Sequence, residues 1–486
     1  MTASASVPVT PPGAGQPSPS AAASTPEPER RFDRSLVDGP LAGAVWKLAW
    51  PTVLTNVIGG LQGMIDHALV GNMVGFTANA AIGVSWQIFL VVIVFLSSMF
   101  MGMSVLVSRY VGAGDGDRAD RTVYQAFLAV IVLSFGVLAP LGYVFAPGLL
   151  SLVNATAAVQ REALPFLRIM FMFSGGMLVF FMVGGALRAA GDARTPMILG
   201  VSMTVLNVVL NVMLIRGLGP IPAFGTRGAA MGTSIASGVV GIYSLWKLTR
   251  GGWVVSFKHD GGWGPDWAII RALFRFGLPT GIQGIAMNVG GVLLLGFIGS
   301  LAQSAAAQGA YAVSYTELFS LVTWTSQGLL GAAAVIAGQN LGAGRPDRTV
   351  QGVHVAAKFG IVGAAFIGLC FWFLPRQLLA IFGMHDPIVV GIGVQLLRVL
   401  SVSGLFISVA LTYTGGLQGT GDTRSPLYIS ILSQLIIPLG ACFVMSRIGT
   451  LQPLAIWLAI LAGHVTRCLL SVLRFNQAEW KRIEVV

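Results

Sequence analysis

From Ala44 to the C-terminal end the chain is a succession of apolar runs, most of them twenty residues or longer. A helix needs roughly 20 residues to cross a hydrocarbon core about 30 Å thick, so runs of this length are read as membrane-spanning helices. Twelve are found, centred in 44–70, 80–107, 122–146, 163–187, 195–215, 228–250, 272–298, 305–337, 350–374, 391–416, 426–446 and 452–474. The run 305–337 is long enough to contain a break. Only 10% of the residues are charged, against about 25% in an ordinary soluble domain. The class is an all-α membrane protein.

The 63 glycines lie inside most of these runs. Lipid gives helices no hydrophobic reason to associate, and small residues that allow close backbone approach take over that role. Cys370, Cys442 and Cys468 sit in apolar runs at no metal or redox spacing and are read as small core residues. The net charge of +11 raises nucleic acid as a partner, but that requires basic residues gathered on one accessible face. Here they are scattered among the connections, so nucleic acid is not expected. With the N-terminus inside, the inner connections carry thirteen, from Arg109 and Arg118 through Arg188 to Arg348 and Arg424; the outer ones carry five, Arg161, Arg216, Arg227, Arg376 and Arg447. That asymmetry is what the positive-inside rule requires of twelve spans with both ends in the cytoplasm. Residues 1–40, rich in Pro, Ser, Thr and Ala, hold no apolar core of a signal peptide and read as a disordered cytoplasmic tail.

One corner is written twice. GALRAAGDARTP at 185–196 returns as GGLQGTGDTRSP at 415–426, with Gly191 and Gly421 230 residues apart. RYVGAGDGDR at 109–118 is echoed in the same register by QNLGAGRPDR at 339–348, and Arg168 is answered by Arg398. AWPTVLTN around Pro51 parallels GLPTGIQG around Pro279 with an offset of 228. Each half thus holds six spans. Six being even, the second half enters from the same side as the first, which makes parallel repeats related by an axis along the membrane normal. The expected divisions are the tail 1–40, a six-helix lobe over 41–250, a cytoplasmic linker 251–270, a second lobe over 271–476 and a tail 477–486. In the corner, Gly191 and Gly421 suit a left-handed helix end. Thr195-Pro196 and Ser425-Pro426 suit a helix start, with a capping hydroxyl and a proline at the first position. The corner is read as structural, not as a substrate site.

As a set, GMIDHALVG at 63–71, the GAG loop at 112–114 with its copy, GALRAAGDARTPM at 185–197 followed by LNVVLN at 206–211, and GGLQGTGDTRSP resemble the MATE family, the multidrug and toxic compound extrusion transporters of the MOP flippase superfamily, over 41–476. The resemblance implies two six-helix lobes around a central cavity that opens alternately to the two membrane faces. It also implies efflux of mostly cationic, aromatic compounds driven by protons or sodium ions.

Of the eighteen carboxylates, sixteen fall in tails, connections or span ends. Asp66 and Glu317 do not, and an ionisable group at membrane depth is a functional candidate by default. Asp66 shares a narrow polar or small face of the first span with Asn56, Gly59, Gln62 and Gly63, so it looks across a helix interface or cavity. It is read as the ion-coupling group, the alternative being a hydrogen-bonded strut. His67, about 100° round the helix, is read as a packing residue. Asn207 and Asn211 stand one turn apart in the fifth span, and the resemblance places both near Asp66. They either donate to its carboxylate or act as interhelical glue worth about 1 kcal/mol or less each.

Glu317 opens a polar stripe with Ser320, Thr323 and Gln327 in the eighth span, and Gln87, 230 residues earlier, is its approximate counterpart. Glu317 is read as binding a cation or sharing in ion coupling, or else as an interhelical hydrogen-bonding group. Trp86, Tyr124, Tyr315, Trp324, Phe180, Met177 and Met287 are candidate cavity walls, since π faces and thioethers bind flat cations. Pro51 lies 15 residues before Asp66 and removes a backbone hydrogen bond, which lets the first span bend when Asp66 changes state. One branch of the resembled family carries acids where this chain has Met287 and the Ile407–Ser408 region, so a C-terminal-lobe sodium site of that type is not expected.

The expectation is a monomeric secondary active antiporter of the inner membrane without cofactor or metal. It exports cationic amphipathic compounds in exchange for protons, or for sodium held at Asp66. A lipid-linked oligosaccharide flippase of the same superfamily would show extra spans or a basic cavity, and no mid-span Lys or Arg cluster is seen. A membrane-embedded enzyme would need converging metal ligands or a nucleophile with its base, and His67, His259, His354, His385 and His464 show no such spacing.

Overall fold

A computed structural model describes residues 32–153, 155–218, 220, 222–257 and 262–484; the reading of 1–31 lies outside them. Among the described residues there are helices and no strand. Twelve long helices follow the twelve apolar runs. They are α1 (Leu41–Met73), α2 (Thr77–Ala113), α3 (Gly116–Leu152), α4 (Ala157–Met172 and Gly175–Ala189, meeting at 51°), α5 (Arg194–Arg216), α6 (Thr226–Arg250), α7 (Trp267–Gly299), α8 (Ser304–Gly342), α9 (Pro346–Phe373), α10 (Pro387–Gly419), α11 (Arg424–Arg447) and α12 (Pro453–Asn476). Ten of these are long and apolar enough to cross a membrane, eleven with the bent α4 taken as one span. α1, at 33 residues, has the length for about 50 Å of helix, and Asn56, Gln62, Asp66 and His67 dilute its apolar character. Ile242, Val362, Phe366 and Phe373 turn outward and are exposed, the kind of apolar face that hydrocarbon covers. The break inside 305–337 is a π turn at Ala312–Leu318, which carries Tyr315 and Glu317; such turns are frequent at functional positions.

The repeated corner folds as two copies of one joint. Gly191 and Gly421 take φ of 99° and 95°, a region that side chains disfavour. The amide of Asp192 reaches back to Leu187 O at 2.9 Å and that of Asp422 to Leu417 O at 3.0 Å, the bond that closes a helix through a left-handed residue. The start of the next helix departs from expectation. α5 and α11 begin at Arg194 and Arg424, so Pro196 and Pro426 stand third rather than first. The capping acceptor is the aspartate: Asp192 Oδ1 accepts from the amides of Arg194 and Thr195 at 3.0 Å, and Oδ2 from the Thr195 hydroxyl at 2.5 Å. Asp422 repeats this with the Ser425 amide at 3.1 Å and hydroxyl at 2.7 Å. A carboxylate accepts on two oxygens, so it takes the role assigned to the hydroxyl, which donates to it instead.

Residues 32–40 are also different from the loose tail expected. Ser35–Asp38 form a helical turn whose Leu36 is fully buried. The amide of Asn340 in α8 donates to Leu36 O at 3.3 Å, and Arg345 and Arg348 reach Val37 O at 3.0 Å and Gly39 O at 2.6 Å. Arg345 also pairs with Asp38 at 2.8 Å. Lys47 hydrogen-bonds Asp33 and holds that carboxyl down to about 2. At the other terminus Trp480 is buried, stacked on Phe475 at 5.3 Å.

The two halves touch backbone to backbone through the GAG copies. A Cβ on Gly112 of α2 would lie 2.0 Å from Gln339 O, and one on Gly342 of α8 2.2 Å from Arg109 O. Since 112 answers 342 and 109 answers 339, the contact is symmetric about the axis that relates the repeats. Flanking it, Gly281 of α7 closes on Ser98 and Gly328 of α8 on Val53, again a pair and its repeat. All these residues lie toward the face at which α1 begins. Farther along, a Cβ on Gly63 or on its counterpart Gly291 would meet nothing within 4 Å. The halves therefore close at that face, and open space lies beside both glycines farther along.

Candidate ion-coupling and substrate site

Asp66 lies in α1 beyond the closed end; α5 supplies its partners, and α6 backs them. Asn211 Nδ2 donates to Asp66 Oδ1 at 2.8 Å. The amide of Asn207 suits its neighbours in the orientation where its nitrogen donates to Asp66 Oδ1 at 3.2 Å and its oxygen accepts from the Thr233 hydroxyl at 2.9 Å. Both asparagines are fully buried. Their 207/211 spacing puts them on one face of α5, and a Cβ at Gly232 would sit 2.1 Å from Asn211 Oδ1, so only glycine lets α6 approach there. Gln62, one turn before Asp66, accepts from the Thr204 hydroxyl at 2.7 Å. The result is one carboxylate held by neutral amides, with threonine hydroxyls bonded in turn to Asn207 and to Gln62, and no counter-cation ion-paired to it among the described residues. Such a group changes charge by taking up a proton or a small cation.

Thr204, Thr233 and Gly232 were not singled out from the sequence, because threonine and glycine are common in spans and nothing in the spacing marks these three. Two neighbours of Asp66 on its helix are engaged elsewhere. His67 Nδ1 lies 2.6 Å from Asn79 Oδ1. Asn56 donates to Trp324 O of α8 at 3.2 Å, which makes it a strut between the halves. Pro51 is buried inside α1, near the α1–α8 contact at Val53.

The second group of candidates is spread along α2, α7 and α8. Trp324 lies across Gly60, where a Cβ would meet its ring at 2.2 Å, so its indole stands at the closed end. Glu317 follows about 10 Å along α8. It is half-buried, and its carboxylate has no hydrogen bond or ion pair among the described residues. Gln87, Gln327 and Met287 are exposed. Gln87 continues the face of α2 that meets α7 at Val94 and Ser98, past the point of contact. Ser320 and Thr323 turn their hydroxyls to carbonyls of their own helix.

Five candidates are elsewhere. Tyr124 is buried under the linker: its hydroxyl donates to Trp263 O at 3.0 Å, and its ring meets Phe257 and Trp263 edge-on. Around it Asp120 accepts from the Ser256 amide and hydroxyl at 2.8 Å, and Arg121 pairs with Asp266 at 2.8 Å, so this part of α3 fastens the linker. Met177 is buried in the core of the first half, and Phe180 and Trp86 pack against that core. Tyr315 stacks on Tyr311 at 4.9 Å, inside the second half.

The MatE family model matches this chain over residues 51–213 and again over 279–444, one match per repeat. The chain belongs to the MatE family. MatE proteins are transporters, not enzymes, and this one is a multi-pass membrane protein. Among similar curated proteins, the probable multidrug resistance protein NorM of Thermotoga maritima is 27% identical over 451 residues, 90% of this chain and 93% of that protein. The probable multidrug resistance protein YoeA of Bacillus subtilis is 25% identical over 438 residues, covering 90% and 93%. Two solved structures share the fold at 20% identity, each over 92% of this chain and 98% of its own. One is an outward-facing multidrug resistance MATE family transporter of the MOP superfamily, with a TM-score of 0.84; the other is a MOP superfamily transporter from Pyrococcus furiosus, with a TM-score of 0.85.

Proposed function

We propose that this MatE protein is a multidrug efflux antiporter of the bacterial inner membrane that exports cationic amphipathic compounds in exchange for protons, working as a monomer with both termini in the cytoplasm. The single observation that carries the reading is Asp66, an acid at membrane depth whose hydrogen-bonding neighbours are amides. The names of its relatives, multidrug resistance proteins, support drug export. With the N-terminus inside, the face closed by Gly112 and Gly342 is cytoplasmic, and the cleft is open outward. A proton arriving from outside then neutralises Asp66 and releases the substrate cation it held by charge, and the lobes rock with Pro51 at the base of α1. Glu317 and Gln87 face substrate from the two halves.

A sodium site wants several oxygen ligands converging on one point, whereas the amide nitrogen of Asn211 and, in its favoured orientation, that of Asn207 point at Asp66. That arrangement suits a proton. The test is substrate efflux from proteoliposomes with the membrane potential clamped. An acid-outside gradient without sodium is expected to drive efflux, and an inward sodium gradient without a pH difference is not. Sodium-driven efflux with none under the pH gradient would overturn the proton assignment. For Glu317, the expectation is that Glu317→Gln weakens binding of cationic substrates more than that of neutral ones of similar shape, because the lost attraction is Coulombic in a low-dielectric cleft. Equal loss for both classes, by titration of purified protein, would assign Glu317 a structural role.

A further inference from the structure

Arg467 lies within α12, three residues after His464 and four before Ser471, so the three share one face of the helix. They are 1%, 2% and 0% exposed. Arg467 Nε and Nη1, His464 Nδ1 and Ser471 Oγ have no hydrogen-bond partner among the described residues. Tyr315 from the π turn of α8 and His464 from its own helix face Arg467, and no carboxylate forms an ion pair with it among the described residues. Around them the walls are aromatic: Phe319 stacks on the His464 ring at 5.8 Å, and Tyr315 packs between Phe319 and Tyr311. Arg467 is a single cation and not a mid-span cluster, and it lies in the interior of the second half.

A guanidinium keeps its charge in proteins and offers only donors. At membrane depth such a group pairs with an acid or with backbone carbonyls, or lines an ion path, and an unpaired buried charge is strongly destabilising. Here no acid pairs with it among the described residues, and the unmet capacity around Arg467 belongs to N–H groups, a hydroxyl and an imidazole, all able to donate. What completes this set is one negative charge. It must be small, because the flanking rings are packed, and monovalent and weakly hydrated, because it has to leave water for an apolar wall. We propose that the Arg467–His464–Ser471 face of α12 binds a halide-sized monovalent anion. Tyr315 sits two residues before Glu317 in the same π turn, so the anion would also fix the turn that carries Glu317 to the cleft.

The test uses the purified full chain in detergent and does not depend on transport, so its failure is separate from failure of the efflux reading. A ligand that binds only the folded state raises the melting temperature with concentration. At constant ionic strength and pH, replacing gluconate by chloride or bromide is expected to raise the melting temperature of the wild type saturably. Arg467→Met, of similar length and no charge, is expected to melt at the same temperature in both salts. No halide-dependent shift in the wild type, or an equal shift in Arg467→Met, would overturn the site. Should the variant not fold, crystals of the wild type grown in bromide decide: an anomalous peak against the Arg467 guanidinium is expected, and its absence there would overturn the proposal.

Discussion

Asp66→Asn is expected to reduce substrate efflux to the level of protein-free vesicles while leaving the protein folded and inserted. The substitution keeps the size of the side chain and an oxygen that can accept from Asn211 Nδ2, the partner at 2.8 Å. What it removes is the charge, and with it the only change of state available to a site whose other members are Asn207, Asn211, Thr233, Gln62 and Thr204. A strut would tolerate this exchange, since an amide accepts on its oxygen and adds a donor; a coupling group cannot. The measurement is efflux under an imposed gradient alongside the size-exclusion profile of the same preparation. Wild-type efflux from the variant would remove Asp66 from the mechanism.

Why this site was legible in the sequence while other parts were not has physical reasons. A charge within an apolar run is rare enough to stand out, and two asparagines four apart can only share a helix face. Which span faces which is not written locally. Tyr124 has the composition of a cavity wall, yet its side of α3 meets the linker through Asp120, Arg121 and Gln125, and that needs tertiary contacts 130 residues and more away in the chain. The corner was read correctly at Gly191 and Gly421, whose positive φ no other residue adopts easily. It was misread at its helix start, where Asp192 and Asp422 compete with the hydroxyls three residues on and win with a second oxygen. Leu36 and Val37 form too short an apolar pair to stand out from a Pro- and Ser-rich tail, and become visible only once α8 covers them. His464, Arg467 and Ser471 follow helical spacing, but a single cation among apolar residues makes no cluster, and the rings that enclose it come from α8, far away in the chain.

Gly112→Leu and Gly342→Leu, singly and more so together, are expected to hold the face at which α1 begins open. In both positions the helix is regular, so leucine brings no backbone strain and is a better helix former than glycine by up to about 1 kcal/mol. Each lobe should fold at least as well as before. The conflict is confined to the contact between lobes, where the new Cβ would lie 2.0 Å and 2.2 Å from the carbonyl oxygens of Gln339 and Arg109. A backbone oxygen cannot move aside as a flexible side chain can, so α2 and α8 must separate by more than the width of the clash. Alternation requires both arrangements, and a protein denied one of them binds substrate but does not turn over. Spin labels at the ends of α2 and α8 on that face are expected to report longer distances in the variants, with efflux lost. Gly114→Ala and Gly344→Ala are the controls. These glycines have positive φ, 80° and 72°, and empty space where a Cβ would go, so substitution strains the loop by about 1 kcal/mol without touching the opposite lobe. If the loop variants open the face as much as the helix variants do, or if Gly112→Leu keeps the wild-type distances and efflux, the symmetric contact is not the closure.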